Sequence, residues 1–386
     1  TVANVGLGAN NIYVYSNDTL GTVNNSTSLT ATGGENYGIY SAGNVSNSGN
    51  IDFGNGIGNV GIYSIKGGTA TNTGTITIGG SDIGTNKFGI GMAAGYQNSD
   101  TGNIINNGTI NVNGDFSIGM YASGTGSVAT NNSNIVLNGN NTTGIYADNG
   151  ATVINTGNIS TGPGRYSKVV GVYLGTGATL NNTGTITIDG RNSVGVFLKG
   201  GTVANYGNIT VNGSNNVGFL RGASGDPNTN EITLDSVKLG TIKFGGDLTT
   251  LGSADIAVGT DNALIRSEKN KIKLDAAITT GTSDPNPNSP ASPAAARNSI
   301  LQAVKGAQVE TTANGTITVT SGYKVYGVTA GFDTGGSGAS LTTAGDIDMT
   351  ARESIGLAVG NSNNTGTNTA ANVKLTGKKN TAIYNL

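Results

Sequence analysis

The chain has 386 residues, a formal net charge of −2 and only 11% charged side chains, a balance that gives it no general affinity for nucleic acid or for an anionic membrane. Cysteine, histidine and tryptophan are absent, which excludes a disulfide framework, thiolate or imidazole metal sites and any catalytic triad built on histidine. Glycine is abundant, at 65 residues, and low charge with low aromatic content raises the suspicion of disorder, but a disordered chain lacks a regular apolar period and usually carries more net charge.

That period is a block of roughly 25 residues recurring along the first two-thirds of the chain. Its first element is Gly38-Ile39-Tyr40, repeated as Gly61-Ile62-Tyr63, Gly119-Met120-Tyr121, Gly144-Ile145-Tyr146, Gly171-Val172-Tyr173 and Gly195-Val196-Phe197. Gly91-Met92-Ala93 and Gly218-Phe219-Leu220 are looser versions. A second element, Val45-Ser46-Asn47, returns as Val153-Ile154-Asn155 and Val203-Ala204-Asn205. The third is Asn72-Thr73-Gly74-Thr75-Ile76-Thr77-Ile78, with counterparts ending at Val112, Ile188 and Val211.

Each element alternates with a period of two and is rich in β-branched residues, so three short strands per block are predicted, with Gly, Asn, Asp and Ser at the corners. One such block cannot repay its backbone ordering cost of about 1–2 kcal/mol per residue by burying a few aliphatic groups, so blocks must stack. The predicted fold is all-β: a right-handed, three-sided parallel β-helix. Leucine-rich repeats need a Leu ladder, and propeller blades need four antiparallel strands; neither pattern is present.

Within a strand, Val60 and Ile62 are expected to share the inward face, as are Ile76 and Ile78, leaving Tyr63 outside. Tyr40, Tyr63, Tyr121, Tyr146, Tyr173 and Phe197 then form an exposed aromatic column, either a stack shielding the sheet or a strip for sugars or protein partners. Asn47, Asn72, Asn106, Asn131, Asn155, Asn182 and Asn205 form a second column that turns a corner. A third class, ice binding, is disfavoured because Thr75/Thr77 and Thr185/Thr187 are not continued by a regular Thr row.

Regular repeats are expected over residues 1–220, and residues 221–386 are expected to continue the β-helix with degenerate rungs and longer loops. Arg221–Asp226 reads as a loop, and the Pro-rich run from Asp284 to Pro293 cannot hold a ladder because proline lacks a donor. A short helix is predicted near 293–305, capped at Ser292, striped by Ile300, Leu301 and Val304 and stopped at Gly306. It is either a packing device or part of a binding loop. Ligand-binding candidates on this irregular part are Arg221, Asp226, Asp284, Asn286, Asn288 and Arg297. Arg266, Glu268, Lys269, Lys271 and Lys273 form the densest charge, explained equally well as a solvated strand face.

The tandem Gly-Ile-Tyr and Asn-x-Gly-x-Ile units on a cysteine-free, Gly/Asn/Thr-rich chain resemble the passenger region of type V autotransporters, especially the large fusobacterial outer-membrane adhesins. The resemblance covers residues 36–220 firmly and the remainder loosely. It implies display on the bacterial surface, tethering to the outer membrane by a C-terminal β-barrel absent from this chain, and attachment to a host receptor (protein or glycan) or to a partner bacterium. It also fits the lack of cysteine, since premature disulfides would obstruct export. No cofactor, metal or catalytic residue is implied, and a monomer is expected. The alternatives are an inert stalk or a β-helix polysaccharide-degrading enzyme, for which Asp346 with Asp348, and Asp52 and Asp115 on separate rungs, are the nearest acids. Solvated surface acids are the commoner explanation of such residues.

Overall fold

The computed structural model describes residues 5–96, 100–164, 166–222, 230–245, 261–282, 297–332, 338–360 and 363–385. Contacts divide the chain into two units, Thr1–Thr187 with Gly200–Tyr206, and Ile188–Lys199 with Gly207–Leu386. No helix occurs among the described residues, and every pairing between extended strands is parallel.

In the first unit each rung contributes one strand to each of three sheets, as Val60–Ser64, Thr69–Asn72 and Thr75–Ile78 do in one turn. The next turn repeats this with Ile90–Ala94, Asn103–Asn106 and Thr109–Val112. This is a three-sided parallel β-helix, and the sequence dictates it through register. Ile51, Ile76, Ile110, Ile135, Ile159 and Ile186 are successive partners and all are fully buried. Ile39, Ile62, Met92, Met120, Ile145 and Val172 form a second inward column on the Gly-Ile-Tyr sheet. Such stacked aliphatic columns remove each side chain from water against its own kind, at about 1.5–3 kcal/mol per side chain.

The Gly-Ile-Tyr sheet departs from simple alternation. Pairing joins Ile90 to Val60 and Met92 to Ile62 but passes over the glycines between them. A Cβ on Gly91 would lie 2.5 Å from the carbonyl oxygen of Gly119 and 2.8 Å from Ile110 Cγ2, so only glycine fits. The local kink turns two residues three apart to the same side, as a bulge does. Val60 therefore faces outward with Tyr63, correcting the expectation that it shares the inward face of Ile62. Tyr37, at the position of Val60 on the preceding rung, shows this directly, since its ring contacts those of Tyr40 and Tyr63 at 5.7 and 6.2 Å.

The Asn column is a buried hydrogen-bonded ladder. Each side-chain amide donates to the side-chain oxygen of the next: Asn25 to Asn47 (2.7 Å), Asn47 to Asn72 (2.8 Å), Asn72 to Asn106 (3.1 Å), Asn106 to Asn131 (2.9 Å), Asn131 to Asn155 (2.8 Å) and Asn155 to Asn182 (2.7 Å). Asn205 does not join. A register shift between Leu180 and Asn181 sets Asn205 opposite Asn181, and Asn182 donates instead to the carbonyl of Tyr206 at 2.7 Å.

The second unit has the same inward logic. Phe219, Ile265, Leu301, Val328 and Leu357 are successive partners and buried. Its main correction concerns the predicted helix: Arg297–Val304 is a β-strand, pairing with Asp261–Glu268 on one side and with the Val325–Ala330 strand on the other. Residues 293–296 lie outside the described residues. Local helix signals lose here because both neighbouring strands offer a continuous ladder, and Asn298 through Val304 are buried between them. Lys305 and Gly306, both at positive φ, make the turn that follows.

Candidate functional site: an aromatic groove

The outward columns of the Gly-Ile-Tyr sheet in the first unit line a groove of about 810 Å³. Its floor is the column Ile12, Tyr37, Val60, Ile90 and Ile118, and its inner wall is the tyrosine column at Tyr63, Tyr121 and Tyr146. These residues span six successive strands, which at about 4.8 Å per strand is a length of roughly 24 Å.

The outer wall is an insertion. Between Ile78 and Ile90 the chain makes a tight hairpin in which Asp82 and Lys87 exchange main-chain hydrogen bonds of 2.8 and 3.0 Å. Asp82 also accepts from Gly84 N–H at 2.9 Å and from the Thr85 hydroxyl at 2.8 Å, and these bonds hold its carboxyl below the usual range. Asn86, at φ 56°, closes the turn, a conformation that asparagine tolerates. Lys87 reaches back to Glu35 at 2.7 Å, and Phe88 and Tyr96 stand over the groove at 36% and 57% exposure.

The tyrosine column is half-buried rather than exposed, because its rings cover one another. Tyr121, Tyr146 and Tyr173 stack face to face at 5.6 and 4.6 Å with interplanar angles of 12° and 8°. Tyr40 meets Tyr63 edge-on at 5.2 Å, and Tyr15 stacks on Tyr40 at 5.8 Å. Between Tyr63 and Tyr121 the register position belongs to Ala93, so the column lacks a ring there. Burial pushes the hydroxyl pKa values of Tyr63 and Tyr146 well above the ordinary tyrosine value, aided by Tyr40 at the first and by Tyr173 and Asp148 at the second. Both stay neutral; Tyr63 donates to the carbonyl of Gly95 at 3.2 Å.

Phe197, in the second unit, is also half-buried, and its column continues as Leu220, Arg266, Gln302, Thr329 and Ala358, none of them aromatic. Arg266 Nε donates to Gln302 at 2.6 Å.

Among the other candidates, Arg221 is 6% exposed and donates to the Asn230 side chain at 2.8 Å. Asp226, Asp284, Asn286 and Asn288 lie outside the described residues, as does the side chain of Arg297, whose backbone opens a strand. The charge-dense strands form ion pairs between rungs: Lys271 with Glu231 and Glu310, each at 2.8 Å, Lys273 with Glu310 at 3.6 Å, and Lys305 with Glu268 at 3.0 Å. Lys271 holds the Glu310 carboxyl below its usual range. A depressed carboxyl contributes stability that is present above its unfolded pKa and lost as pH falls through the folded one. Acidification below about pH 4.5 should therefore lower the thermal midpoint of the protein more than that of Glu310→Gln, by the modest amount expected of exposed pairs. Melting curves that run parallel for the two proteins between pH 6 and pH 3 would show that the pairs add nothing.

Each of the acids considered for catalysis has a structural partner. Asp52 accepts from Gly54 N–H at 3.2 Å, Asp115 from Asn140 N–H at 2.8 Å, and Asp346 from Asn372 N–H at 2.9 Å, while Asp348 pairs with Lys374 at 3.2 Å.

The sequence signals of the groove were the alanine in Gly91-Met92-Ala93 and the long interval between Ile78 and Ile90; what joins them is the outward turn at glycine. No curated protein and no solved structure matches this chain. A family model described as the BigA third pectate lyase-like domain matches residues 53–158, about a quarter of the chain, and that stretch contains Tyr63, Ala93, Tyr121, Tyr146 and the hairpin that walls the groove.

Proposed function

We infer that this chain is an adhesin segment of a bacterial surface protein, carried outside the cell on a passenger of the autotransporter kind and attaching to a host cell or a second bacterium through the aromatic groove. The observation that carries the reading is the groove itself: a regular solenoid face on which one insertion adds the exposed aromatic side chains of Phe88 and Tyr96. The match to a domain of BigA supports placement on a bacterial surface, and the parallel β-helix fits a passenger.

Beads coated with the protein should attach to host cells or to a second bacterium, and soluble protein should compete. Beads carrying Phe88→Ala together with Tyr96→Ala should attach at least several-fold less. Equal attachment by both bead types would move the binding surface off the groove, and no attachment by either would favour the inert-stalk reading. The name of the matching family keeps a polysaccharide-degrading activity as the second reading; release of unsaturated sugar from polygalacturonate by the protein would establish it.

A further inference from the structure

Oxidants that reach this molecule find one kind of target. The chain has no cysteine, histidine or tryptophan, and its three methionines, Met92, Met120 and Met349, are fully buried, so the readily oxidised side chains at its surface are tyrosines. Three of these, Tyr121, Tyr146 and Tyr173, are successive register partners in the first unit, half-buried on the outer face of the Gly-Ile-Tyr sheet. Tyr146 and Tyr173 lie 4.6 Å apart with planes 8° from parallel, closer than Tyr121 and Tyr146 at 5.6 Å and 12°.

We propose that Tyr146 and Tyr173 are an oxidative cross-linking site, at which hydrogen peroxide activated by a haem peroxidase joins the two rings as dityrosine and staples adjacent rungs together. Each phenol gives up one electron and one proton, leaving a radical whose unpaired electron is shared between the oxygen and the two Cε carbons. A Cε–Cε bond then forms across the pair, each joined carbon releases its hydrogen as a proton, and each oxygen takes a proton back. The two electrons and two protons removed overall reduce one hydrogen peroxide to two waters.

Geometry selects this pair. Parallel strands in register aim both side chains the same way, so the stacked faces bring like carbons of the two rings opposite one another. Tyr40 and Tyr63 are nearly as close, at 5.2 Å, but stand edge-on at 88°, which denies them that overlap. Tyr63 and Tyr121 are kept apart by the rung that carries Ala93. The rings of Tyr146 and Tyr173 lie on the outer face, where they can splay about a new bond without disturbing the buried columns. A bond there closes a loop one rung long and restricts the unfolded chain as a disulfide does, in a protein with no cysteine to make one.

The site does not depend on the adhesin reading, and its test needs no partner cell. Dilute full chain treated with hydrogen peroxide and a haem peroxidase should gain the blue emission of dityrosine, keep its size in gel filtration and lose two hydrogens in mass. Trypsin separates the two rings, because Arg165 and Lys168 lie between them in sequence, so the expected product is a linked pair of peptides, one carrying Tyr146 and the other Tyr173. The linked chain should melt at a higher temperature than the untreated one. Tyr146→Phe keeps a ring in the stack but cannot form the phenoxyl radical; it should fold with an unchanged melting temperature, lose the linked pair and gain no stability from treatment. Tyr173→Phe removes the other phenol and should do the same, so the test stands if one variant fails to fold. A Tyr40–Tyr63 link formed as readily as the Tyr146–Tyr173 link, or links formed mostly between chains, would overturn the site. A linked chain that melts with the untreated one would overturn the staple.

Discussion

Ile76→Asp is expected to unfold the first unit or to leave it barely stable. Ile76 is fully buried between Ile51 and Ile110, and Gly61 packs so closely that a Cβ there would lie 2.9 Å from Ile76 Cγ2. A carboxylate in that column has neither water nor a partner, and its desolvation costs several kcal/mol in addition to the lost apolar burial. Since domains are stable by only about 5–15 kcal/mol, this one change removes much or all of the margin. Thr77→Lys is the control, because Thr77 is half-buried on the outer face beside Asp52. It should shift the thermal midpoint little in either direction. Chemical denaturation of the two variants measures the difference, and equal losses would mean that the faces of this strand are assigned wrongly.

Asn106→Ala should cost about 2–4 kcal/mol, because it interrupts the buried ladder at its middle. Asn72 loses the oxygen it donates to at 3.1 Å, Asn131 loses the amide that donates to it at 2.9 Å, and Gly108 N–H loses an acceptor at 3.3 Å. Asn205→Ala removes the same residue type from the same sequence motif but from a position outside the ladder, where the register shift has turned it away. It should cost well under 1 kcal/mol. Comparable destabilisation by the two substitutions in urea melts would show that the ladder is worth no more than a surface amide.

These contrasts mark where the sequence was legible. Fold class followed from the repeat, because a strand period of two with aliphatic residues at fixed intervals of about 25 residues leaves stacking as the means of burial. The inward positions of the third strand, Ile76 and Ile78, followed from alternation alone, since that strand pairs without irregularity. Alternation failed on the Gly-Ile-Tyr strand, where the close approach of successive glycines kinks the backbone and sends Val60 outward. The helix near 293–305 failed for a related reason: its signals were local, and the two adjacent strands that claim Arg297–Val304 lie tens of residues away in sequence.

The candidate site divides the same way. Composition and the position of each tyrosine were readable, as was the absence of a ring at Ala93. Tertiary structure decided that Ala93 lies between Tyr63 and Tyr121, that the Asp82–Lys87 hairpin walls the groove, and that Glu35 reaches Lys87 across 52 residues. The sequence by itself determined what repeats, because periodicity is a local property written into each rung. Where a repeat is broken, the outcome depends on which distant side chains the stacked rungs bring alongside the break, and only the folded chain supplies those neighbours.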